Sequence, residues 1–186
     1  MKMKNFYSLP VALLLLFGGC APQQQIEAPV AETPAAKPYA NMLQLMRAFP
    51  FIHANVVFDT QSIDPAGPQK KSSMSYSAYR WVDSDVYAGW GGVESSALAI
   101  AESASLLMIP GRVCSNGLPA PIEREDWKNF SQGLVTAGQA AYKAAQSKNV
   151  DALVEASGTI TEACSACHDV YRDIDSAGKQ RCSVAQ

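Results

Sequence analysis

At 186 residues, 48% of them hydrophobic and 17% charged, the chain has room for one domain with a substantial core. A formal net charge of −2, with no basic patch and no arginine-rich run, argues against nucleic-acid binding.

The N-terminus reads as an export leader. Lys2 and Lys4 supply a positive start, and Leu9 to Phe17 is an apolar stretch too short to span a bilayer. Phe17-Gly18-Gly19-Cys20 follows, two small residues ahead of a cysteine, which looks like a bacterial lipoprotein cleavage site. On this reading residues 1–19 are removed and Cys20 is lipidated; an ordinary secretory signal with an incidental Cys20 is the alternative. Two or more acyl chains on Cys20 would hold the protein at a membrane surface. Losing Lys2 and Lys4 from 15 basic residues leaves 13 against 17 acidic ones, a mature net charge of about −4. Residues 20–38 are rich in proline and in small or polar residues, as a disordered tether is, and could reach up to roughly 60 Å.

The folded domain is expected over residues 39–186. Met42, Leu45, Met46 and Phe49 recur at i, i+3, i+4, i+7, so residues 39–49 predict a first helix. Pro50 should kink or end it, and Phe51 to Phe58 either continues the helix or runs extended. Residues 59–89 form an inserted region that opens on the turn Asp64-Pro65-Ala66-Gly67-Pro68. Tyr76, Tyr79, Trp81 and Tyr87 crowd its second half, an aromatic cluster that reads as packing, with a lid as the alternative. A second helix over 90–109 carries Val93, Ala97, Ile100, Ala104 and Leu107 at helical spacing and stops at Pro110-Gly111. A loop from Cys114 to Pro121 follows. The third helix, 122–147, has Glu123, Glu125 and Asp126 in its first turn, where the helix dipole favours acids. Its apolar stripe is Trp127, Phe130, Leu134, Ala137, Ala141 and Ala145. In the fourth, 150–174, Leu153, Ser157, Ile160, Cys164, Cys167 and Tyr171 make a seam expected to face the core.

Inside that last helix stands Cys164-Ser165-Ala166-Cys167-His168, the C-x-x-C-H attachment signature of c-type haem. Two thiols one turn apart can each add to a vinyl group of one porphyrin, and the next residue can offer its imidazole as proximal iron ligand. A redox pair or half a zinc site is the competing reading. It lacks a second C-x-x-C, a ligand-spaced histidine pair and a preceding βαβ pattern. Export permits disulfides as well as haem attachment. With Cys20 assigned to lipid and Cys164 and Cys167 to haem, Cys114 and Cys182 remain as the natural disulfide pair.

Four helices with short connections favour an all-α, up-down-up-down four-helix bundle. That topology gathers the start of the first helix, the end of the second, the start of the third and the end of the fourth at one end. Met46 and His168 then stand at similar heights, so Met46 can face the iron opposite His168. Met42, His53 or no protein ligand are the alternatives. His53 is roughly 10 Å further along a continuous helix.

The arrangement resembles class II c-type cytochromes, meaning cytochrome c′ and its low-spin relatives, over about residues 40–175. The resemblance rests on Cys164-x-x-Cys167-His168-Asp169-Val170-Tyr171-Arg172 closing the last helix, and on the Trp127…Ala141-x-x-Ala144…Leu153 pattern ahead of it. In low-spin members a methionine of the first helix is the sixth iron ligand, in a run like Arg-Gln-x-x-Met-Lys-x-Ile. Met42-Leu43-Gln44-Leu45-Met46-Arg47-Ala48-Phe49 looks like that run, with Met46 at the ligand place and Met42 where the family often has arginine. Arg172, four after His168, matches the family's arginine near the haem and is the implied propionate partner. The 59–89 insertion departs from the family pattern. The resemblance implies one covalent haem c and an electron-transfer role without catalysis, on the periplasmic side of a bacterial membrane, with a redox protein as donor or acceptor and a homodimer left open. The alternatives are a five-coordinate gas-binding protein and a haem subunit docked to a periplasmic dehydrogenase or reductase through the aromatic 76–90 stretch.

Overall fold

A computed structural model describes residues 36–67, 88–172 and Cys182. Cys20, the leader, most of the tether and the cluster from Tyr76 to Tyr87 lie outside them. The described residues are all-helical: α1 (Met42–Ala48), α2 (Pro50–Asp59), α3 (Gly89–Leu107), α4 (Glu125–Gln146) and α5 (Val150–Tyr171). None of these helices is long and apolar enough to cross a membrane.

The predicted first helix is shorter at its start and is followed by a second one. Asn41 and Gln44 form a capping box, each side chain accepting the other's backbone N–H at 2.9–3.0 Å, and this sets the start of α1 at Met42. Pro50 has no N–H to give the carbonyl of Met46, so the ladder breaks at Phe49 (φ −124°, ψ −74°). The chain restarts with Pro50 as the first residue of α2, where its fixed φ suits a helix. The open question over Phe51 to Phe58 is thus resolved as helix.

α3 packs against both α2 and α4, α4 against α5, and α2 also against α1 and α5. The expected stripes of α3 and α4 are buried, apart from Phe130 at half-exposure. Small residues dominate these contacts: Ala97, Ala137, Ala141 and Ala145 have no exposed surface. A Cβ on Gly138 would stand 2.7 Å from the backbone nitrogen of Ala101, so α3 and α4 touch backbone to backbone there. Between α4 and α5, Lys148 takes a left-handed conformation (φ 51°). Asn149 donates its N–H to the Ala144 carbonyl, and its side chain caps the Ala152 N–H at 3.0 Å.

The 108–124 loop ties helix ends together. Arg112 is 4% exposed, and its guanidinium donates to the Leu106 carbonyl at the end of α3 and to the Ala40 carbonyl before α1. The Met42 N–H donates to Val113 O at 2.8 Å. Cys114 is disulfide-bonded to Cys182, with Cα atoms 5.8 Å apart.

Two glycines of α4 should respond oppositely to alanine. Gly133 has open space around its Cβ position, so Gly133→Ala should stabilise by about 1 kcal/mol through helix propensity. Gly138→Ala should destabilise by roughly 1–3 kcal/mol, because the Ala101 backbone cannot give way as a flexible side chain would. Thermal melts followed by circular dichroism check both signs.

Candidate functional site

α5 leaves its Asn149 cap with a deeply buried seam: Leu153, Ser157 and Ile160 are at most 1% exposed. The seam then opens. Cys164 and Cys167 face the core as expected but are only partly buried, while Ser165, Ala166, His168 and Asp169 are exposed; burial returns at Tyr171. At about 100° per residue, Cys164, Cys167 and His168 fall within an arc of about 100° on one helix face, and Tyr171 lies in the middle of that arc. Both thiols pack against the apolar core cluster, as Met46, Phe130 and Val170 do.

Electrostatics keep those thiols neutral. Burial pushes the Cys164 thiol up. Burial, then the neighbouring Cys164, then Asp126 push Cys167 up to about 11. Tyr171, one turn beyond Cys167, touches Trp127 and Asp126, so the first turn of α4 lies beside the end of the motif's helix.

Asp126 heads a clasp between the two helices. Its Oδ1 accepts from Arg124 Nε (3.0 Å), from the Tyr171 hydroxyl (2.8 Å) and from the Trp127 backbone N–H (2.9 Å). Arg124 Nε also donates to the Tyr171 oxygen at 2.8 Å, and Nη2 reaches Oδ2 at 2.9 Å. The Arg124 hydrogen bonds foremost, with those from Tyr171 and the backbone, hold the Asp126 carboxyl at about 2. The Trp127 ring meets Tyr171 edge-on, with centroids 4.9 Å apart, and Phe130 stands 6.2 Å from the same ring. Trp127 is 3% exposed, yet its indole Nε1–H has no hydrogen-bond acceptor among the described residues. A donor buried in that way costs about 1–3 kcal/mol.

The remaining candidates are spread over the fold. Met42 is buried in the core, and Met46 is half-buried on α1. His53 of α2 is half-buried, its Nδ1 3.3 Å from Ser96 Oγ of α3, and burial lowers its pKa. Arg172 is exposed just past α5, with its N–H on the His168 carbonyl at 2.9 Å. Sequence reading placed Asp126 only as a dipole-favoured acid and missed its clasp with Arg124 and Tyr171. The partners are 45 and 47 residues apart, and no local spacing reveals such a pair.

Among the described residues no three His, Cys, Asp or Glu side chains converge as a metal-holding group. A zinc site built on Cys164 and Cys167 would therefore need ligands from elsewhere. A haem c makes other demands: two thiols one turn apart, an adjoining imidazole, an apolar wall and donors for its carboxylates. Cys164, Cys167 and His168, with the Trp127–Phe130–Tyr171 rings nearby, fit the first three of those demands. Comparison of the chain with protein-family models, curated proteins and solved structures finds no match.

The clasp has a pH signature. Asp126 has a folded pKa below its ordinary value of 3.8, so its contribution to stability is complete above about pH 4 and is lost as pH falls toward 2. Asp126→Asn should flatten the stability curve through that window while leaving the slope between pH 5 and 8 unchanged. Urea melts across the acid range test this; an unaltered acid limb would mean that the clasp does not form in solution.

Proposed function

We propose that this chain is an exported c-type haem protein that carries electrons and is not an enzyme. The observation that carries the reading is the single arc of α5 on which Cys164, Cys167 and His168 lie, at the point where an otherwise buried seam opens. In this reading Cys164 and Cys167 make the thioether links and His168 is the proximal iron ligand. Met46 would supply the second iron ligand, and Arg172 would pair with a propionate. Two sets of contacts support an up-down-up-down bundle. The start of α1 is tied to the end of α3 through Arg112 and Val113, and the start of α4 to the end of α5 through Asp126 and Tyr171.

Bound haem would supply a one-electron couple. The protein's own residues set its environment. The apolar cluster beside the thiols would limit the access of water, and a methionine sulfur on the iron would favour a higher potential than a second imidazole. Lipid on Cys20 and the 20–38 tether would keep the domain near a membrane on the periplasmic side, within reach of a redox partner. One observation favours the gas-binding alternative: α1, which bears Met46, has at most slight contact with α5. A wider gap between Met46 and α5 would leave the iron open to a diatomic gas.

The test is an absorption spectrum of protein made with a c-type maturation system, with and without carbon monoxide. A low-spin spectrum indifferent to carbon monoxide, becoming high-spin in Met46→Ala, is expected. A high-spin spectrum that shifts with carbon monoxide would favour gas binding. In Cys164→Ser/Cys167→Ser the haem should become extractable by acidified solvent; absence of covalent haem from the unmutated protein would sink the reading.

A further inference from the structure

We propose that Tyr171 is a positioning residue for the haem-binding turn: its hydroxyl, held by Asp126 and Arg124 of α4, fixes the rotation of the end of α5 and so the direction in which His168 presents its imidazole. The proposal rests on the haem reading and adds to it a residue that acts through the backbone of α5. From Thr161 to Arg172, Tyr171 is the one buried residue; the others are exposed or half-buried. Its ring meets Trp127 edge-on at 4.9 Å and Phe130 at 6.2 Å. Its hydroxyl donates to Asp126 Oδ1 and accepts from Arg124 Nε, each at 2.8 Å. A phenol has one proton to donate, and here both its donor and an acceptor lone pair are engaged, so the ring cannot slide along its neighbours without breaking a bond.

Helix geometry carries that constraint to the motif. Tyr171 follows His168 by three residues and Cys167 by four, the spacings at which side chains on a helix are neighbours. Helical side chains lean toward the N-terminus, so Tyr171 covers the turn that holds those two residues. The Arg172 N–H bonds the His168 carbonyl at 2.9 Å and closes α5. Helix ends ordinarily fray, whereas this one is held from outside by α4. The clasp acts chiefly on direction, because a partly solvated ion pair such as Arg124–Asp126 adds little to global stability.

The experiment uses the haem-loaded protein and Tyr171→Phe, which keeps the ring and removes only the hydroxyl. The haem-methyl proton shifts of the oxidised protein report the plane of the His168 imidazole. They should move in Tyr171→Phe, and amide exchange over residues 168–172 should quicken by about tenfold or more. Asp126→Asn should act in the same direction, and the double variant should go little further than either alone. Gly138→Ala disturbs the α3–α4 contact instead, so it should lower the melting temperature and leave the methyl shifts where they are. Unchanged methyl shifts in Tyr171→Phe, or equal changes in Gly138→Ala, would overturn the positioning role while the haem reading stands. Where Tyr171→Phe takes up no haem, the unmutated protein decides. Its Arg172 N–H should exchange within about tenfold of the Ile160 N–H, and faster exchange than that would overturn the role. Covalent haem missing from the unmutated protein overturns both.

Discussion

One carboxylate holds the working end of this protein together. Asp126 draws Arg124, Tyr171 and the Trp127 backbone onto itself, and in doing so ties the first turn of α4 to the last turn of α5. The final turn of a helix leaves carbonyls unbonded and frays readily. Cys164, Cys167 and His168 sit within two turns of that end. A clasp at Tyr171 steadies the backbone of these three, as the proposed covalent attachment at two cysteines would need. The carboxylate is partly solvated, so its strength lies in the number and direction of its hydrogen bonds more than in the Coulomb attraction to Arg124.

Away from this end the fold is held by close contact. Alanine, glycine and serine line α3 and α4, and Gly138 lets the backbones meet. Such seams tolerate little change of volume. The α4 stripe changes character along its length, from Ala137, Ala141 and Ala145 at one end to Trp127 and Phe130 at the other. Bulk and aromatic character are thus concentrated beside the two thiols. A flat, apolar cofactor of the proposed kind would find van der Waals partners there.

The thiols and the clasp divide the electrostatic work. Cys164 and Cys167 are kept neutral by burial, so the pair adds no charge to the apolar wall. Within the clasp, the charges of Arg124 and Asp126 largely cancel each other. For the proposed electron carrier, the iron ligands would be the main lever on the potential.

Local pattern determined a good deal of this protein. The period of apolar residues located α3, α4 and α5 within a few residues, because a helix facing a core must repeat every three or four positions. The spacing of Cys164, Cys167 and His168 placed all three on one face by helix geometry alone. Two outcomes belonged to tertiary structure. The seam of α5 opens at the cysteines although its periodicity continues, since burial depends on what a neighbouring helix covers and not on register. The bonding of Tyr171 to Asp126 and Arg124, and the burial of the Trp127 indole without a partner among the described residues, arise where the first turn of α4 docks on the last turn of α5. A polar group's partner across 45 residues is set by how helices dock, and no property of either segment alone encodes it.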